Sequence, residues 1–352
     1  MRISHFSYLP VCLFAGLTFL LSCGGGGSSD NKSGAATPGH AYVVNASSGT
    51  IWTFSINPTT GALSLAGNQV NADQAPHGLV LDAGKQYAYV ACRIAGTVNV
   101  FSFDVSTFRP QQVATASTGP ESGCLALSPN GQYLYVGGQN GIFSFSTSNS
   151  GSLTSTGSVV ASGSVTSLAM DPLGRVIVSG DGTSLRVHTL DQATGRPSSS
   201  PILFPQSHYP DGILFHPSGK VLFVLNGAAR KVTVLTVSAA GNLAVLNSID
   251  TGIGPVGMTV DPAGRFLFVA NSGDRTISTF AISADGNLKV GSTSISESDY
   301  SWNLSVTPDS KFLISSHDAN SMGVFTIDGT TGALSFNGNS PIGGDPRALV
   351  FR

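Results

Sequence analysis

The chain has 352 residues, and 43 of them are glycine. Hydrophobic residues make up 41% of the chain and charged residues only 10%. Lys and Arg total 17 and Asp and Glu total 19, a net charge of −2, so the basic excess typical of a general nucleic-acid-binding protein is missing. The apolar content is too high for a disordered chain, and low charge with abundant glycine favours an all-β protein with many tight turns over a helical bundle.

Residues 1–22 have the pattern of an export signal. Arg2 precedes an apolar run, Val11 to Leu21, which is too short to span a bilayer as a mature helix. The run ends in Leu20-Leu21-Ser22-Cys23, which resembles the lipobox of bacterial lipoproteins, where the cysteine thiol carries the lipid. We therefore expect lipidation at Cys23; an ordinary secretory signal followed by a chance cysteine is the alternative.

Residues 23–39 are predicted to form a Gly/Ser-rich tether. The segment opens with Gly24-Gly25-Gly26-Gly27-Ser28-Ser29, and small polar residues continue to Gly39. No Asp follows Cys23, so in a Gram-negative cell the usual sorting rule predicts the outer membrane, on its periplasmic or surface side. The membrane is thus an expected partner, through the lipid on Cys23.

The rest of the chain, residues 40–352, repeats with a nearly fixed period. The loop before the first strand of each unit carries an anchor residue, and successive anchors are 44, 45, 45, 45, 45 and 46 residues apart: Pro76, Pro120, Val165, Pro210, Pro255, Tyr300 and Pro346. A period of 40 to 50 residues indicates a repeat architecture, because each unit is then one supersecondary element that buries its faces against its neighbours.

Each unit is predicted to contain four short strands, A to D. In the unit that starts at Gly254, strand A covers 257–260, strand B 266–271 and strand C 276–282, and strand D begins at Leu288. Asp261-Pro262-Ala263-Gly264-Arg265 is a tight turn between A and B. Seven such units predict an all-β fold, a seven-bladed β-propeller of four-stranded blades.

The two ends of the repeat region are complementary. The last unit has only a strand A, at 347–351, whereas the first strand after the tether, at 41–46, has the pattern of a strand B. The C-terminal strand is therefore expected to complete the first blade and close the ring, which removes two open sheet edges.

Strand B carries a recurring motif. Tyr42-Val43-Val44-Asn45, Phe223-Val224-Leu225-Asn226 and Phe268-Val269-Ala270-Asn271 are variants of Tyr-Val-x-Asn, and Pro-x-Gly-Lys/Arg turns precede strand B. In these motifs residues 40–352 resemble the seven-bladed lactonase-type propellers with YVTN-like repeats, a group that includes bacterial 6-phosphogluconolactonases and fungal carboxymuconate cyclases. The resemblance implies the fold; since the motif residues pack blades and shape turns, it implies little about activity.

The connections between strands predict where a site would lie. A–B and C–D turns are short and nearly identical, whereas D–A and B–C connections vary, and both variable sets are expected on one face around the channel mouth, where binding residues concentrate. Charged and aromatic residues collect there: His77, Arg93, Glu121, Asp181, His208, Tyr209, Asp211, Arg230, Asp274, Arg275, Asp299, Tyr300, Trp302, His317, Asp318, Asp345 and Arg347.

Cations beside aromatic rings favour an anionic or sugar-like ligand, through charge-assisted hydrogen bonds and stacking. On this ground the predicted ligand-binding residues are Arg230, Arg275, Tyr300, Trp302 and Arg347. The alternative is that each arginine pairs with a neighbouring carboxylate, Asp274 or Asp345, and binds nothing.

Catalysis has weaker support. Lactone hydrolysis needs a base that activates water and a cation that holds the developing oxyanion. In the lactonase branch of the similar family, Pro-Arg-His heads one strand A and Asn-Glu follows the next strand B; here those places read Pro210-Asp211-Gly212 and Asn226-Gly227. The candidates that remain are His208 or Asp211 as the base, and Arg275 or Arg347 as the cation.

The expected function is therefore binding rather than catalysis: an envelope-anchored lipoprotein propeller that binds a small anionic or sugar-like ligand, or an envelope protein, at its variable face. A lactonase-like hydrolase acting at the channel mouth is the alternative, and a scaffold in an envelope complex is a third. We expect a monomer with no cofactor and no nucleic-acid partner. Cys92 and Cys124 either form a disulfide or stay buried thiols, and no His/Cys spacing predicts a metal site.

Overall fold

The computed structural model describes residues 39–160, 163–205, 210–295, 300–318 and 320–352. Within these ranges the chain forms β-strands and no α-helix. Accordingly, none of the described chain is a helix of the length and apolarity that crossing a bilayer requires. The predicted export signal with Cys23, most of the tether, and the candidate base His208 lie outside the described residues.

The strands are short and follow one another with tight connections. The first half of the chain contains β1 (His40–Asn45), β2 (Thr50–Ile56), β3 (Leu63–Leu65), β4 (Val70–Asn71), β5 (Pro76–Leu81), β6 (Tyr87–Cys92), β7 (Thr97–Phe103), β8 (Pro110–Ser117), β9 (Cys124–Leu127), β10 (Tyr133–Gly138), β11 (Gly141–Thr147), β12 (Leu153–Val159), β13 (Ser167–Met170), β14 (Val176–Gly180) and β15 (Ser184–Thr189). The second half contains β16 (Ile202–Pro205), β17 (Gly212–Phe215), β18 (Val221–Asn226), β19 (Lys231–Val237), β20 (Leu243–Asp250), β21 (Pro255–Val260), β22 (Phe266–Asn271), β23 (Thr276–Ile282), β24 (Leu288–Ile295), β25 (Ser301–Val306), β26 (Phe312–His317), β27 (Ser321–Ile327), β28 (Leu334–Pro341) and β29 (Pro346–Phe351).

These strands form seven antiparallel sheets, the blades of a propeller. Blades 2 to 7 each consist of four consecutive strands, from β5–β8 through β25–β28. Blade 1 combines the two ends of the chain, because β29 pairs with β1, which is followed by β2 with β3 and β4. The predicted seven-bladed fold and its closure by the C-terminal strand are both confirmed.

The innermost strands form the wall of the central channel. Strands β29, β5, β9, β13, β17, β21 and β25 contact one another in that order, and β25 contacts β29 again. Each is the first strand of its blade, strand A, so all seven run from the same end of the channel to the other.

The core is divided among the seven seams between blades, which explains the low charge of the chain. In β22, Leu267 and Val269 pack into the seam with blade 5, and Phe266 and Phe268 pack into the seam with blade 7. Successive side chains of a strand point to opposite faces, and here both faces are covered. Inner strands are therefore almost continuously apolar, and polar residues are displaced to the ends of the strands.

The repeated A–B turns hold the blades together at one end of the channel. In blade 6, Asp261 is fully buried, and its Oδ1 accepts hydrogen bonds from the backbone N–H groups of Arg265 at 2.5 Å and Phe266 at 2.8 Å. Arg265 pairs with the same carboxylate and donates to the carbonyl oxygen of Gly329 in blade 7 at 2.7 Å. The carboxylate thus organises the turn, as its sequence position predicts, and its partner arginine joins two blades.

Cys92 and Cys124 are both free and buried. The Cys92 thiol donates to the Ala72 carbonyl oxygen at 2.7 Å, and burial raises its pKa to about 12. A thiol with such a pKa is not a nucleophile near neutral pH. Of the two alternatives for these residues, the structure has buried thiols and no disulfide.

Candidate functional site

One structural position recurs at the channel mouth in all seven blades. In blade 2, Pro76 pairs with Cys92 and Gly78 with Ala91, so His77 between them is an extra residue that bulges out of the ladder. The same bulge occurs in three other blades, where the residue without a partner in the ladder is Val256 (blade 6), Trp302 (blade 7) or Arg347 (blade 1).

The other three blades have the equivalent residue just ahead of strand A. Its backbone N–H donates a hydrogen bond to a carbonyl oxygen of strand B in each of these blades. The donor and acceptor residues are Gly123 and Gly137, Thr166 and Gly180, and Asp211 and Leu225. We call the seven equivalent residues the mouth ring; in blade order they are Arg347, His77, Gly123, Thr166, Asp211, Val256 and Trp302. Every member is buried or half-buried.

The mouth ring has a polar arc and an apolar arc. Blades 6 and 7 supply Val256 and Trp302, whereas the neighbouring blades 1 and 2 supply a guanidinium and an imidazole. Asp211 stands on the other side of the ring, in blade 5. An imidazole, a carboxylate and a guanidinium are the groups that acid–base chemistry on an ester uses, and their concentration at one position of an otherwise weakly charged chain marks a candidate site.

Arg347 and Trp302 contact each other. The Arg347 guanidinium carbon lies 5.2 Å from the centre of the Trp302 ring, and its Nε and Nη2 donate to Asp345 Oδ2 at 2.9 and 2.7 Å. The indole N–H of Trp302 in turn donates to the carboxylate of Asp318. Arg347 therefore stacks on the aromatic ring and also pairs with Asp345, the carboxylate named in the alternative in which the arginine binds no ligand.

Arg275 and Tyr300 form a second such pair farther out on the same face. Arg275 lies in the B–C turn of blade 6, and its guanidinium carbon is 4.8 Å from the centre of the Tyr300 ring. The oxygens of the adjacent Asp274 accept hydrogen bonds from the Ile253 N–H at 2.9 Å and the Thr276 hydroxyl at 2.7 Å. The turn is thus held by Asp274, while Arg275 covers a tyrosine that is 42% exposed.

Arg230 does not join these pairs in the part of the chain that the structure describes. It lies in the B–C turn of blade 5, where its backbone has a φ of +52° and its carbonyl oxygen accepts the Thr251 N–H at 2.9 Å. The side chain is exposed. Of the five predicted ligand-binding residues, four therefore form two cation–aromatic pairs, and Arg230 stands apart on the rim.

Asp211 is a carboxyl group in an unusual environment. Its Oδ2 accepts the Gly227 N–H at 2.6 Å, and a Cβ added at Gly227 would lie 2.7 Å from that oxygen. Burial raises the pKa of Asp211 above its ordinary value, and the hydrogen bond from Gly227 only partly opposes this. Because Gly227 has no side chain, the Asp211 carboxylate has room to accept this hydrogen bond.

His77, one of the residues that the sequence places at the mouth, lines a small pocket. Its side chain is only 7% exposed, and its Nδ1 has no hydrogen-bond partner among the described residues. The pocket is lined by His77, Arg93, Glu121, Gly123, Ser164, Val165 and Thr166. Within it, Arg93 Nε donates to Glu121 Oε2 at 2.5 Å. Buried polar atoms normally have partners, so an unpaired imidazole nitrogen in a residue that lines a polar pocket marks His77 as a candidate site residue.

The sequence places His77 at the mouth but does not select it as a ligand-binding or catalytic residue. The signal that could have done so is its equivalence to Trp302 and Arg347, which only the bulges reveal. The same mouth brings Thr166 and Asp211 to equivalent positions in other blades. Among the described residues no group of three or more His, Cys, Asp or Glu side chains is arranged to hold a metal ion.

Comparison with known structures shows the same architecture. A candidate 6-phosphogluconolactonase from Bacteroides fragilis superposes with a TM-score of 0.82 at 18% identity, covering 92% of this chain and all of that one. The periplasmic gluconolactonase PpgL of Pseudomonas aeruginosa gives 0.80 at 19% identity over 90% of this chain and 99% of that one. A protein from Lactobacillus plantarum gives 0.80 at 19% identity over 90% and 100%. At these identities the likeness extends to the fold alone.

The sequence itself carries the family signal. No curated protein sequence matches the chain significantly. The family profile described as "Lactonase, 7-bladed beta-propeller" matches residues 35–127 and 184–351, which is well over half of the chain. The chain therefore belongs to the lactonase family of seven-bladed β-propellers.

Proposed function

We propose that the protein hydrolyses a lactone, a cyclic ester, at the mouth ring. The observation that carries the proposal is the buried His77, which lines a polar pocket one blade away from Arg347 and whose Nδ1 has no partner in the described chain. Family membership and the names of two structural neighbours, a gluconolactonase and a candidate 6-phosphogluconolactonase, support the same class of reaction. Of the three functions that the sequence suggests, hydrolysis thus has more support than binding alone or a scaffold role.

In the proposed reaction His77 acts as the general base. It takes a proton from a water molecule whose oxygen attacks the lactone carbonyl carbon, and the carbonyl oxygen becomes an oxyanion. The guanidinium of Arg347 on the neighbouring inner strand stabilises that charge. When the ring C–O bond breaks, the protonated imidazole returns the proton to the leaving alkoxide, so that the product is an open-chain hydroxy acid.

This assignment accounts for the residues missing from blade 5. The family-like positions Pro210-Asp211-Gly212 and Asn226-Gly227 lack the arginine, histidine and glutamate of the lactonase branch. In the proposal, His77 in blade 2 and Arg347 in blade 1 take over the histidine and arginine roles. Asp211 supplies a carboxylate across the ring.

The experiment is a lactonase assay on the purified propeller with glucono-1,5-lactone, corrected for spontaneous hydrolysis. His77→Gln keeps a polar side chain of similar size but removes the base, so kcat should fall at least 100-fold. His216→Gln is the matched control, because His216 lies in an A–B turn at the opposite end of the channel and bonds to Gly264. Absence of activity in the wild type, or full activity of His77→Gln, would overturn the proposal.

Ligand binding without turnover is the second candidate, favoured by the two cation–aromatic pairs. Arg275 with Tyr300, and Arg347 with Trp302, present aromatic rings and guanidinium groups on one face. Such a surface suits a sugar-like molecule. Calorimetric binding of glucose or gluconate by a protein that hydrolyses no lactone would favour this candidate.

We also propose that the propeller works at the cell envelope, anchored by a lipid on Cys23. The support is the sequence Leu20-Leu21-Ser22-Cys23 and the Gly/Ser-rich segment after it. An envelope protein docked on the variable face is a further partner compatible with this location.

A further inference from the structure

We propose that the mouth selects uncharged, hydroxyl-bearing lactones over phosphorylated ones, and that Glu121 is the main specificity-determining residue. This inference rests on the proposed hydrolase function. A phosphate group needs a guanidinium or ammonium group that can turn to it. At this mouth the arginines nearest to His77 already have carboxylate partners within the chain.

Arg93 is the first of these arginines. It lines the His77 pocket, and its Nε donates to Glu121 Oε2 at 2.5 Å. The Arg93 side chain is 26% exposed and that of Glu121 is 44% exposed. Glu121 is therefore the more exposed member of the pair, and its carboxylate occupies the guanidinium that a phosphate would otherwise engage.

Arg347 is the second. Two of its nitrogens, Nε and Nη2, donate to the same oxygen of Asp345, and the side chains are 16% and 29% exposed. Its guanidinium also stacks on Trp302. One face and one edge of the group are thus occupied, and Asp345 already neutralises its charge. The remaining N–H groups can hold a carbonyl oxygen or an oxyanion, but they offer a dianion no uncompensated positive charge.

Blade 4 repeats the arrangement. Arg186 donates to Asp181 Oδ2 through Nε at 3.1 Å and Nη2 at 2.6 Å. Burial acts to raise the pKa of Asp181, but hydrogen bonds from Thr183, Arg186 and Ser184 outweigh it and hold the pKa at about 2. The pair is therefore fully ionised and internally neutralised at physiological pH.

The mouth also carries a carboxyl group within the ring itself. Asp211 receives only a neutral N–H from Gly227 among the hydrogen bonds of the described residues. A phosphate monoester carries about −1.5 to −2 charges near neutral pH. An ionised Asp211 would repel such a group, and a protonated one would give it no attraction, so this ring position adds nothing that favours a phosphorylated substrate. Arg230, the exposed arginine of blade 5, lies three blades from Arg93, toward bulk solvent where its attraction is screened.

The pocket is lined by polar groups that suit hydroxyls. Gly123 is the mouth-ring member with no side chain, and its φ is not in the left-handed region, so the backbone does not require glycine there. The other six ring positions carry side chains. Gly123 lines the pocket together with His77, Ser164 and Thr166. The imidazole of His77 and the hydroxyls of Ser164 and Thr166 can hydrogen-bond to the alcohols of an aldonolactone.

The test compares kcat/KM for glucono-1,5-lactone and 6-phosphoglucono-1,5-lactone on the full propeller. We expect at least a tenfold preference for the uncharged lactone. In Glu121→Gln the shape is kept but Arg93 loses its counter-charge, and the preference should move at least tenfold toward the phosphorylated lactone. Asp250→Asn is the matched control, because Asp250 pairs with Lys231 on the outer strands of the same face, and it should leave the ratio unchanged.

Equal or greater kcat/KM for the phosphorylated lactone in the wild type, or an unchanged ratio in Glu121→Gln, would overturn the inference. If neither lactone is hydrolysed, the proposed function fails, and specificity is then measured by calorimetry with glucose and glucose 6-phosphate as stable probes. Tighter binding of glucose, with reversal in Glu121→Gln, would support the inference. Tighter binding of glucose 6-phosphate by the wild type, or binding of neither probe, would refute it.

Discussion

Arg347 and Trp302 occupy the same bulge position in neighbouring blades, and the guanidinium of one lies 5.2 Å from the ring centre of the other. The bulge brings both side chains to the mouth, because an extra residue on one strand has no opposite partner in the ladder. A stacked arginine at a partly exposed site contributes about 0.5–1 kcal/mol. The contact is therefore weak as a source of stability and useful as a way of holding a cation in one orientation.

The two cation–aromatic pairs lead to the first prediction. Replacing Arg275 and Arg347 together by Met keeps their apolar stems and removes both cations. KM for glucono-1,5-lactone should rise at least tenfold, about 1.4 kcal/mol of binding, while the melting temperature falls by only a few degrees, since surface pairs contribute about 0–1 kcal/mol. Steady-state kinetics and calorimetric melting measure the two quantities.

The matched control for the double variant is Arg109→Met with Lys220→Met. Both residues are exposed in turns at the opposite end of the channel, so their loss changes net charge equally without touching the mouth. If the control raises KM as much as the mouth variant, or if the mouth variant binds substrate normally, the ligand-binding role of Arg275 and Arg347 is wrong.

The second prediction concerns pH and Asp211. Because burial raises its pKa in the folded state, the folded protein binds more protons than the unfolded chain between the ordinary carboxyl value, 3.8, and the raised one. Stability contributed by this group is therefore present at low pH and is lost as the pH rises through that window. Asp211→Asn keeps an oxygen for the Gly227 N–H, so its melting temperature should rise relative to wild type between about pH 4 and 7.

Asp285→Asn is the informative comparison for Asp211, because its shift has the opposite sign. Hydrogen bonds from Ser283 and Asn287 lower the pKa of Asp285 to about 2 in a turn at the opposite end of the channel. This variant should lose stability relative to wild type above the ordinary carboxyl range. If the melting temperatures of wild type and Asp211→Asn change in parallel with pH from pH 4 to 7, the assignment of a raised pKa is wrong.

The third prediction tests ring closure. Deleting residues 345–352 removes β29, whose Ala348, Leu349 and Val350 are buried in two seams, and leaves β1 as an unpaired edge at the channel. Exposed edges template aggregation. We expect insoluble protein, or a fall of more than 10 °C in melting temperature, whereas deletion of residues 24–38 should have neither effect. Similar small changes in both deletions would show that the ring does not depend on its C-terminal strand.

The fourth prediction concerns the anchor. If the thiol of Cys23 carries a lipid, Cys23→Ala should move the protein from the detergent phase to the aqueous phase in Triton X-114 partitioning of bacterial cells. Cys92→Ala serves as the control, because that thiol is buried inside the propeller and cannot be the attachment point. A wild-type protein that already partitions into the aqueous phase would exclude lipidation.

The fold follows from the sequence because each unit repeats its turn chemistry. Asp261 and Gly264 determine an A–B turn, and the apolar run of β22 can only be a strand covered on both faces, so seven copies at a fixed spacing leave one architecture. Strand bounds differ by one or two residues, as at Pro255, which pairs with Asn271 across the bulge. Periodicity does not show a bulge, since the side-chain alternation resumes after it.

The candidate site is less predictable, because its residues occupy bulges that periodicity does not show. Trp302 and Arg347 can be selected from their residue types, but their equivalence to His77 depends on the bulge and on which inner strands are neighbours in the closed ring. His77 looks like an ordinary loop histidine until burial and the absence of a partner for Nδ1 are known. The partners of Arg93 and Arg347 likewise depend on side-chain geometry, which spacing does not determine.

The place where the chain enters the propeller has a practical consequence. Gly39 precedes β1 at the end of the channel opposite the mouth, and the His40 and Arg352 backbones exchange hydrogen bonds there at 3.2 and 2.8 Å. β29 then separates that point from Arg347 by about 17 Å, at roughly 3.4 Å per residue. The propeller is therefore attached at the end opposite the mouth by anything that is joined ahead of residue 39. Examples are an acyl chain, a chip surface or a fluorescent fusion. An array of such molecules would present every mouth to the surrounding fluid, so immobilisation through the N-terminus is the orientation of choice for capturing or converting solutes.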